Sequence, residues 1–127
     1  MPIGYVRNPH REVPRHWSVS DLEGALDILP EYEDGLVDIG VGQRIVVIFH
    51  FDRSEPFGSE HLRQKKRHRD EIRGVFSICS PIRPNPIGFS VLTVLSIAGG
   101  RIQVRGLDMF DGTPILDIKP HAEDNAS

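Results

Sequence analysis

Arg83 and Asn85 stand in Ser80-Pro81-Ile82-Arg83-Pro84-Asn85-Pro86-Ile87-Gly88, where three prolines fall within six residues. Each proline fixes its own φ and pushes the preceding residue into extended geometry, so the segment is neither helix nor central strand but a stiff, pre-shaped loop. A guanidinium and a carboxamide on such a loop lose little entropy on meeting a ligand, which is what a binding wall needs. A second signature, Asp108-Met109-Phe110-Asp111-Gly112-Thr113-Pro114-Ile115-Leu116-Asp117-Ile118-Lys119-Pro120, sets carboxylates and an ammonium about a turn. Nearer the N-terminus, Pro14-Arg15-His16-Trp17 offers a guanidinium suited to bidentate capture of a carboxylate or phosphate. Each group also has a plainer use. Arg83 can pair with a neighbouring carboxylate at a structural corner, Trp17 can lid the core, and His50, at the end of an apolar run, can be a satisfied core histidine.

Several chemistries are excluded by pattern. No GxGxxG follows a strand, so a Rossmann-type nucleotide site is absent. There is no Ser-x-Gly elbow and no HExxH. The single cysteine, Cys79, forms neither an internal disulfide nor, alone, a zinc site, and no metal is expected. As a nucleophile Cys79 lacks a histidine placed to activate it, and inside a predicted strand it reads as inert packing.

The elements that must position these groups are short and of β type. The chain has 127 residues, 39% of them hydrophobic and 26% charged, which suits one soluble domain. Residues 1–121 are read as that domain and 122–127 as a polar tail. No stretch approaches the roughly 20 apolar residues that span a membrane, and MPIGYVRNPHRE lacks a signal-peptide apolar region, so a cytoplasmic location is expected. Strands are predicted at 3–7, 24–29, 44–51, 75–79, 90–97, 101–107 and 114–118, with at most one helical turn at 31–36. The run Arg44–Phe51 is read as buried on both faces. The alternation of Arg101, Gln103 and Arg105 with Ile102 and Val104 marks one face of its strand as solvent or interface. The fold class is therefore all-β: a small antiparallel β-barrel with a long basic loop and little helix.

Net charge is −3, yet RQKKRHRDEIR places Lys65, Lys66, Arg67 and Arg69 close together within a long loop, 52–73. Its helical face would be nearly all polar, which favours a mobile basic arm over a helix. Such an arm suits contact with phosphates, and equally suits an ordinary solvated loop.

The two signatures, GVF..xSPxRPNPIG.S and LD..DGTP.LDIKP, taken together resemble the TsaA-like (TrmO) family, and Glu31–Leu36 with the apolar run to Phe51 extends the resemblance over nearly the whole chain. That family comprises S-adenosylmethionine-dependent methyltransferases that modify adenosine next to the tRNA anticodon. The resemblance implies the β-barrel, a homodimer, S-adenosyl-L-methionine as cofactor and tRNA as partner. It implies cofactor contacts at Pro14, Arg15, His16, Phe51, Asp52, Cys79, Phe89, Arg105, Gly106, Leu107 and Asp108. Substrate contacts are assigned to Arg83, Asn85, Lys65, Lys66, Arg67, Arg69, Asp111 and Lys119. The chain departs from the family at Ile78-Cys79, where Thr-Arg is common and the arginine contacts the cofactor; Arg83, Arg73 or a dimer partner is the candidate substitute. It also ends soon after Lys119-Pro120-His121, without the further C-terminal domain of longer members.

Three functions are carried forward. The first is methyl transfer to N6 of a tRNA adenosine already bearing a threonylcarbamoyl group. The second is a methyltransferase of the same fold acting on a small molecule, and the third a non-catalytic module binding S-adenosylmethionine or RNA. The methyl donor already carries an electrophilic sulfonium, so the protein must mainly bind, orient and desolvate. A shallow pocket beside an exposed strand edge is most economically completed by a second subunit.

Overall fold

The structure, a computed structural model, describes residues 1–65 and 71–122. Eight strands lie among the described residues: β1 (Gly4–Arg7), β2 (Glu23–Ile28), β3 (Arg44–His50), β4 (Arg63–Lys65), β5 (Ile72–Gly74), β6 (Ile87–Ala98), β7 (Arg101–Arg105) and β8 (Pro114–Pro120). Six form a closed antiparallel barrel in the order β1-β2-β7-β6-β3-β8. The ring closes where Gly4 and Tyr5 meet Ile115 and Pro114. β4 and β5 pair with each other as a separate two-stranded ribbon.

The period-2 pattern of the sequence builds the interior. In β3, Ile45, Val47 and Phe49 are at most 4% exposed, while Arg44, Val46, Ile48 and His50 between them are half-buried. The expectation of a strand buried on both faces is corrected: a barrel wall has one inner face, and the apolar outer residues are only partly covered. Across β3, Leu92 and Ser90 of β6 register with Ile45 and Val47 and point inward with them. Ile102 and Val104 of β7, Leu26 of β2, Val6 of β1 and Ile115 of β8 complete the lining, all with no exposed surface. Each such side chain contributes about 1.5–3 kcal/mol of apolar burial. Arg101 and Arg105 lie on the opposite, exposed face of β7 with half-buried Gln103, as alternation predicts.

β6 has 12 residues because it serves two neighbours. Its first half pairs with β3 and its second half with β7, the register slipping by one residue between Val94 and Ser96. It therefore starts at Ile87, earlier than the sequence indicates.

Three further expectations are revised. Val75–Cys79 is not a strand: Val75–Ser77 is a 3₁₀ turn, and the β structure lies just before it in β5. Only Val75 of that segment is buried, so the alternation needed to cover a strand face is missing. The segment 52–73 is not a featureless arm, since Ser59–Leu62 forms a 3₁₀ turn and Lys65 belongs to β4. Lys66, Arg67 and Arg69 lie outside the described residues. Pro30–Leu36 makes a 3₁₀ helix of seven residues rather than one turn at most. No helix among the described residues is long and apolar enough to cross a membrane.

The pairing registers bring the loops 8–22, 51–62, 75–86 and 106–113 to the same end of the barrel. Both sequence signatures are in that set.

Candidate functional site

Asp108 is the centre of this end. Gly106, at φ 106°, adopts a left-handed conformation that side chains disfavour, and so turns the chain out of β7. The Gly106 and Leu107 amides both donate to the Leu22 carbonyl, at 2.9 and 3.2 Å. Ser20 Oγ donates to the Leu107 carbonyl at 2.6 Å and accepts from the Leu22 amide. Leu107 is thereby plugged into the core and Asp108 is left at the rim, half-buried.

The Asp108 carboxylate accepts a short hydrogen bond from Ser90 Oγ. Burial pushes its pKa above the ordinary aspartate value. The Ser90 hydroxyl, the nearby His16 ring and the Trp17 amide act the other way without cancelling that effect. A carboxylate whose ionised form is disfavoured by its setting, at the rim of a fold, is a candidate ligand contact.

The segment holding His16 and Trp17 folds over Asp108 through a 3₁₀ turn, Trp17–Val19, capped by His16 Nδ1, which accepts from the Ser18 amide. The His16 and Trp17 rings lie 4.8 Å apart, and Trp17 is 6.3 Å from Phe89, which points outward from β6 and is 48% exposed. Trp17 is thus not the core lid that its sequence context suggests. Its Nε1 is buried without a hydrogen-bond partner, and a buried indole N–H left unpaired is a donor awaiting an acceptor.

A second depression, of about 530 Å³, lies beside the proline-rich loop and is lined by His50, Phe51, Asp52, Phe57, Arg83 and Pro86 among others. Phe51 is anchored through its amide to the Pro86 carbonyl at 2.7 Å, and its ring meets Phe49 edge-on at 4.9 Å. Arg83 is half-buried and spends Nη1 on the carbonyls of Ile78 and Ser80, at 2.7 and 3.3 Å. Its structural use is therefore to hold the loop, by carbonyls rather than the carboxylate anticipated. Gln64 ties the ribbon to the same loop by donating to the Ile82 carbonyl at 2.8 Å.

His16, Phe89 and Asp108 of the expected contacts are therefore gathered together, with Gly106 and Leu107 supporting them. Pro14 is half-buried and Arg15 exposed just before them. Phe51 and Asp52 reach the neighbouring depression. Cys79 is exposed in a loop, not packed in a strand. Arg105 faces outward opposite Glu23, and Lys119 pairs with Asp117 at 3.1 Å on β8. Asp111 accepts from the Asn8 amide at 2.9 Å and lines a different hollow with Arg7 and Arg101. Asn85 is exposed at the loop tip. Neither suggested substitute for the missing arginine is idle, for Arg73 donates Nε and Nη2 to Glu71 at 3.0 and 2.8 Å. Ser90, Ser20 and Trp17 were not among the expected contacts. The signal for Ser90 was a hydroxyl at an inward position of an apolar stripe. Among the described residues no three His, Cys, Asp or Glu side chains form a group that could hold a metal ion.

The chain and its fold have counterparts among known proteins. A "Probable S-adenosyl-L-methionine-binding protein" of Pyrococcus abyssi is 40% identical over 124 residues, covering 94% of this chain and 66% of that protein. An "S-adenosyl-L-methionine-binding protein" of Archaeoglobus fulgidus is 38% identical over 124 residues, covering 95% of this chain and 87% of that one. A crystal structure of TrmO from Pseudomonas aeruginosa superposes with a TM-score of 0.77 at 31% identity, covering 99% of this chain and 57% of that one. The chain thus spans about two thirds of the Pyrococcus protein and little more than half of the Pseudomonas one. The sequence pattern of the family described as tRNA-methyltransferase O N-terminal domain matches residues 6–126, and the chain belongs to that family.

Proposed function

We propose that this chain is an S-adenosyl-L-methionine-dependent methyltransferase acting on N6 of an adenosine next to the tRNA anticodon, one already bearing a threonylcarbamoyl group. The observation that carries the reading is the rim cluster, in which a half-buried Asp108 carboxylate, the outward Phe89 ring and the Trp17 ring come together from three segments of the chain. These groups fit the cofactor by donor chemistry. Asp108 accepts hydrogen bonds from ribose hydroxyls or an amino group, Trp17 Nε1 donates to a ring nitrogen or carboxylate, and Phe89 and Trp17 present faces to a base. Arg15, exposed beside them, suits the methionyl carboxylate.

S-adenosylmethionine, when bound, supplies a methyl group made electrophilic by its sulfonium. The protein's own work is then to hold, orient and exclude water. A relative from mouse, 32% identical over 131 residues but matched over only 30% of its length, is named tRNA (adenine(37)-N6)-methyltransferase, which supports the choice of target. Lys65 on the ribbon, with Lys66, Arg67 and Arg69 beyond it in sequence, suits the tRNA phosphates, and Asn85 suits a base edge.

A second copy of the chain completes the site in this reading. The closed barrel leaves its sheet without the exposed edge expected from sequence. Support comes instead from Ile72 on the ribbon and Leu62 and Phe76 beside it, which are 69%, 50% and 79% exposed.

The Ile78-Cys79 departure, with Arg73 and Arg83 both engaged locally, favours a second reading, in which the same cofactor site serves a small-molecule substrate. The deciding experiment pairs calorimetry of S-adenosylmethionine binding with mass spectrometry of tRNA nucleosides from cells with and without the gene. Binding together with loss of one methylated adenosine species supports the tRNA reading. Binding with unchanged tRNA supports the second, and absence of binding overturns both.

A further inference from the structure

We infer that Ser90 is a positioning residue for the cofactor: from inside the barrel its hydroxyl holds the Asp108 carboxylate in the orientation that receives the ligand. The inference rests on the reading that Asp108 contacts the cofactor, and it assigns a role to a side chain that no ligand can touch.

Ser90 has no exposed surface. It registers with Val47 on β3 and lies between Gly88 and Leu92 on the inward stripe of β6. A hydroxyl in such a lining carries a desolvation cost unless it is paired. The other buried polar side chains, Asn8 and Thr113, donate to the backbone carbonyls of Met109 and Phe110 and so hold loops. Among these three only Ser90 donates to a charged group, through a bond stronger than a neutral one.

The geometry amounts to a two-sided clamp. Ser20 and Leu22 fix the backbone at Gly106–Leu107, and Ser90 fixes the side chain one residue later. Asp108 has two side-chain torsions, and Ser90 is the partner that holds its carboxylate from inside the barrel; the other groups acting on it are the backbone amides of Asp108 and Trp17 and the His16 ring. His16 is the titratable group that faces Asp108 from the segment folded over it, while β6 contributes Ser90 and has no charged residue. The hydroxyl also favours the ionised carboxylate, opposing the effect of burial. Its loss would raise the pH at which Asp108 takes up a proton.

The test is a double-mutant cycle read by calorimetry with S-adenosylmethionine. Ser90→Ala is expected to weaken binding about tenfold, the lower range for a hydrogen bond to a charge. The acid limb of its affinity profile should move to higher pH; the shift is measured again in a His16→Gln background to remove the histidine's own titration. Ser90→Cys, similar in volume and a weak donor, should lie between Ser90→Ala and the parent, which guards against misfolding as the cause. In an Asp108→Ala background, Ser90→Ala should change nothing further. A Ser90→Ala protein that binds like the parent, or a tenfold loss that persists without Asp108, overturns the inference while leaving the cofactor site intact. A parent that fails to bind overturns the site itself.

Discussion

Gly88 and Phe51 meet so closely that a methyl group built on Gly88 would lie 2.6 Å from Cζ of Phe51 and equally close to Cζ of Phe49. Glycine at this position is thus a packing requirement. It lets two aromatic rings close the barrel end beside the proline-rich loop, one residue before Phe89 and two before Ser90.

Gly88→Ala must displace one of those rings. Overpacking of this kind costs about 1–3 kcal/mol, so thermal denaturation should show a clear fall in Tm. Because Gly88 directly precedes Phe89 and Ser90 of the Asp108 cluster on β6, cofactor affinity should fall as well. A Tm equal to the parent's would mean that the rings have room to move.

Asp108→Asn is expected to stabilise the fold at neutral pH. Since burial raises the Asp108 pKa, the native state keeps a proton over a pH window where the unfolded chain has lost it. Native stability from this group is therefore greatest at low pH and falls as pH rises through that window, which starts near the ordinary aspartate value. The amide keeps an acceptor for Ser90 and carries no charge. Melting curves at a series of pH values should show the Tm gain of the variant growing toward neutrality and vanishing in acid, with cofactor binding weakened but still measurable. A variant less stable at every pH would contradict this sign.

Arg15→Ala should weaken S-adenosylmethionine binding by about 1.5–3 kcal/mol, the range for a hydrogen bond to a charged group, with little change in Tm because the side chain is exposed. Unchanged affinity in a titration would remove Arg15 as the carboxylate holder.

Replacing Lys65, Lys66, Arg67 and Arg69 together by serine should raise KM for tRNA strongly and flatten its salt dependence, while S-adenosylmethionine affinity stays as in the parent. Phosphate contacts position the substrate and release counterions; they do not touch the methyl donor. Equal tRNA turnover by the two proteins would shift weight to a small-molecule substrate.

Light scattering at low micromolar concentration should report a dimer, and Phe76→Ser combined with Ile72→Ser should shift it to monomer. A parent that is monomeric under these conditions would argue against a site shared between subunits.

The barrel was legible because its signal is local. Alternation of the kind seen in Arg101–Arg105, and the turn at Ala98-Gly99-Gly100, report strand and direction from adjacent residues. What escaped the sequence depends on partners far along the chain. Val75–Cys79 has strand composition but no neighbouring strand, and it became a turn. The 63–65 and 72–74 ribbon is polar apart from Ile72 and too short to show a periodicity, yet it pairs and is tied to the loop by Gln64. At the site, motif resemblance pointed to Asp108, His16 and Phe89, which the fold gathers. Ser90 was invisible as a functional residue until the β3 register turned it inward toward Asp108.

The closure of the ring by Gly4 and Tyr5 against Ile115 and Pro114 has a kinetic consequence. The first and last strands must find each other across almost the whole chain, and such non-local pairing makes loop-closure entropy the dominant barrier and slows assembly. The Asp108 rim is built from segments before β2, at the start of β6 and after β7, strands that are neighbours in a ring which the β1–β8 pairing closes. Ligand occupancy should therefore protect the slowest-exchanging amides of all six barrel strands together, as a single cooperative unit rather than a local patch.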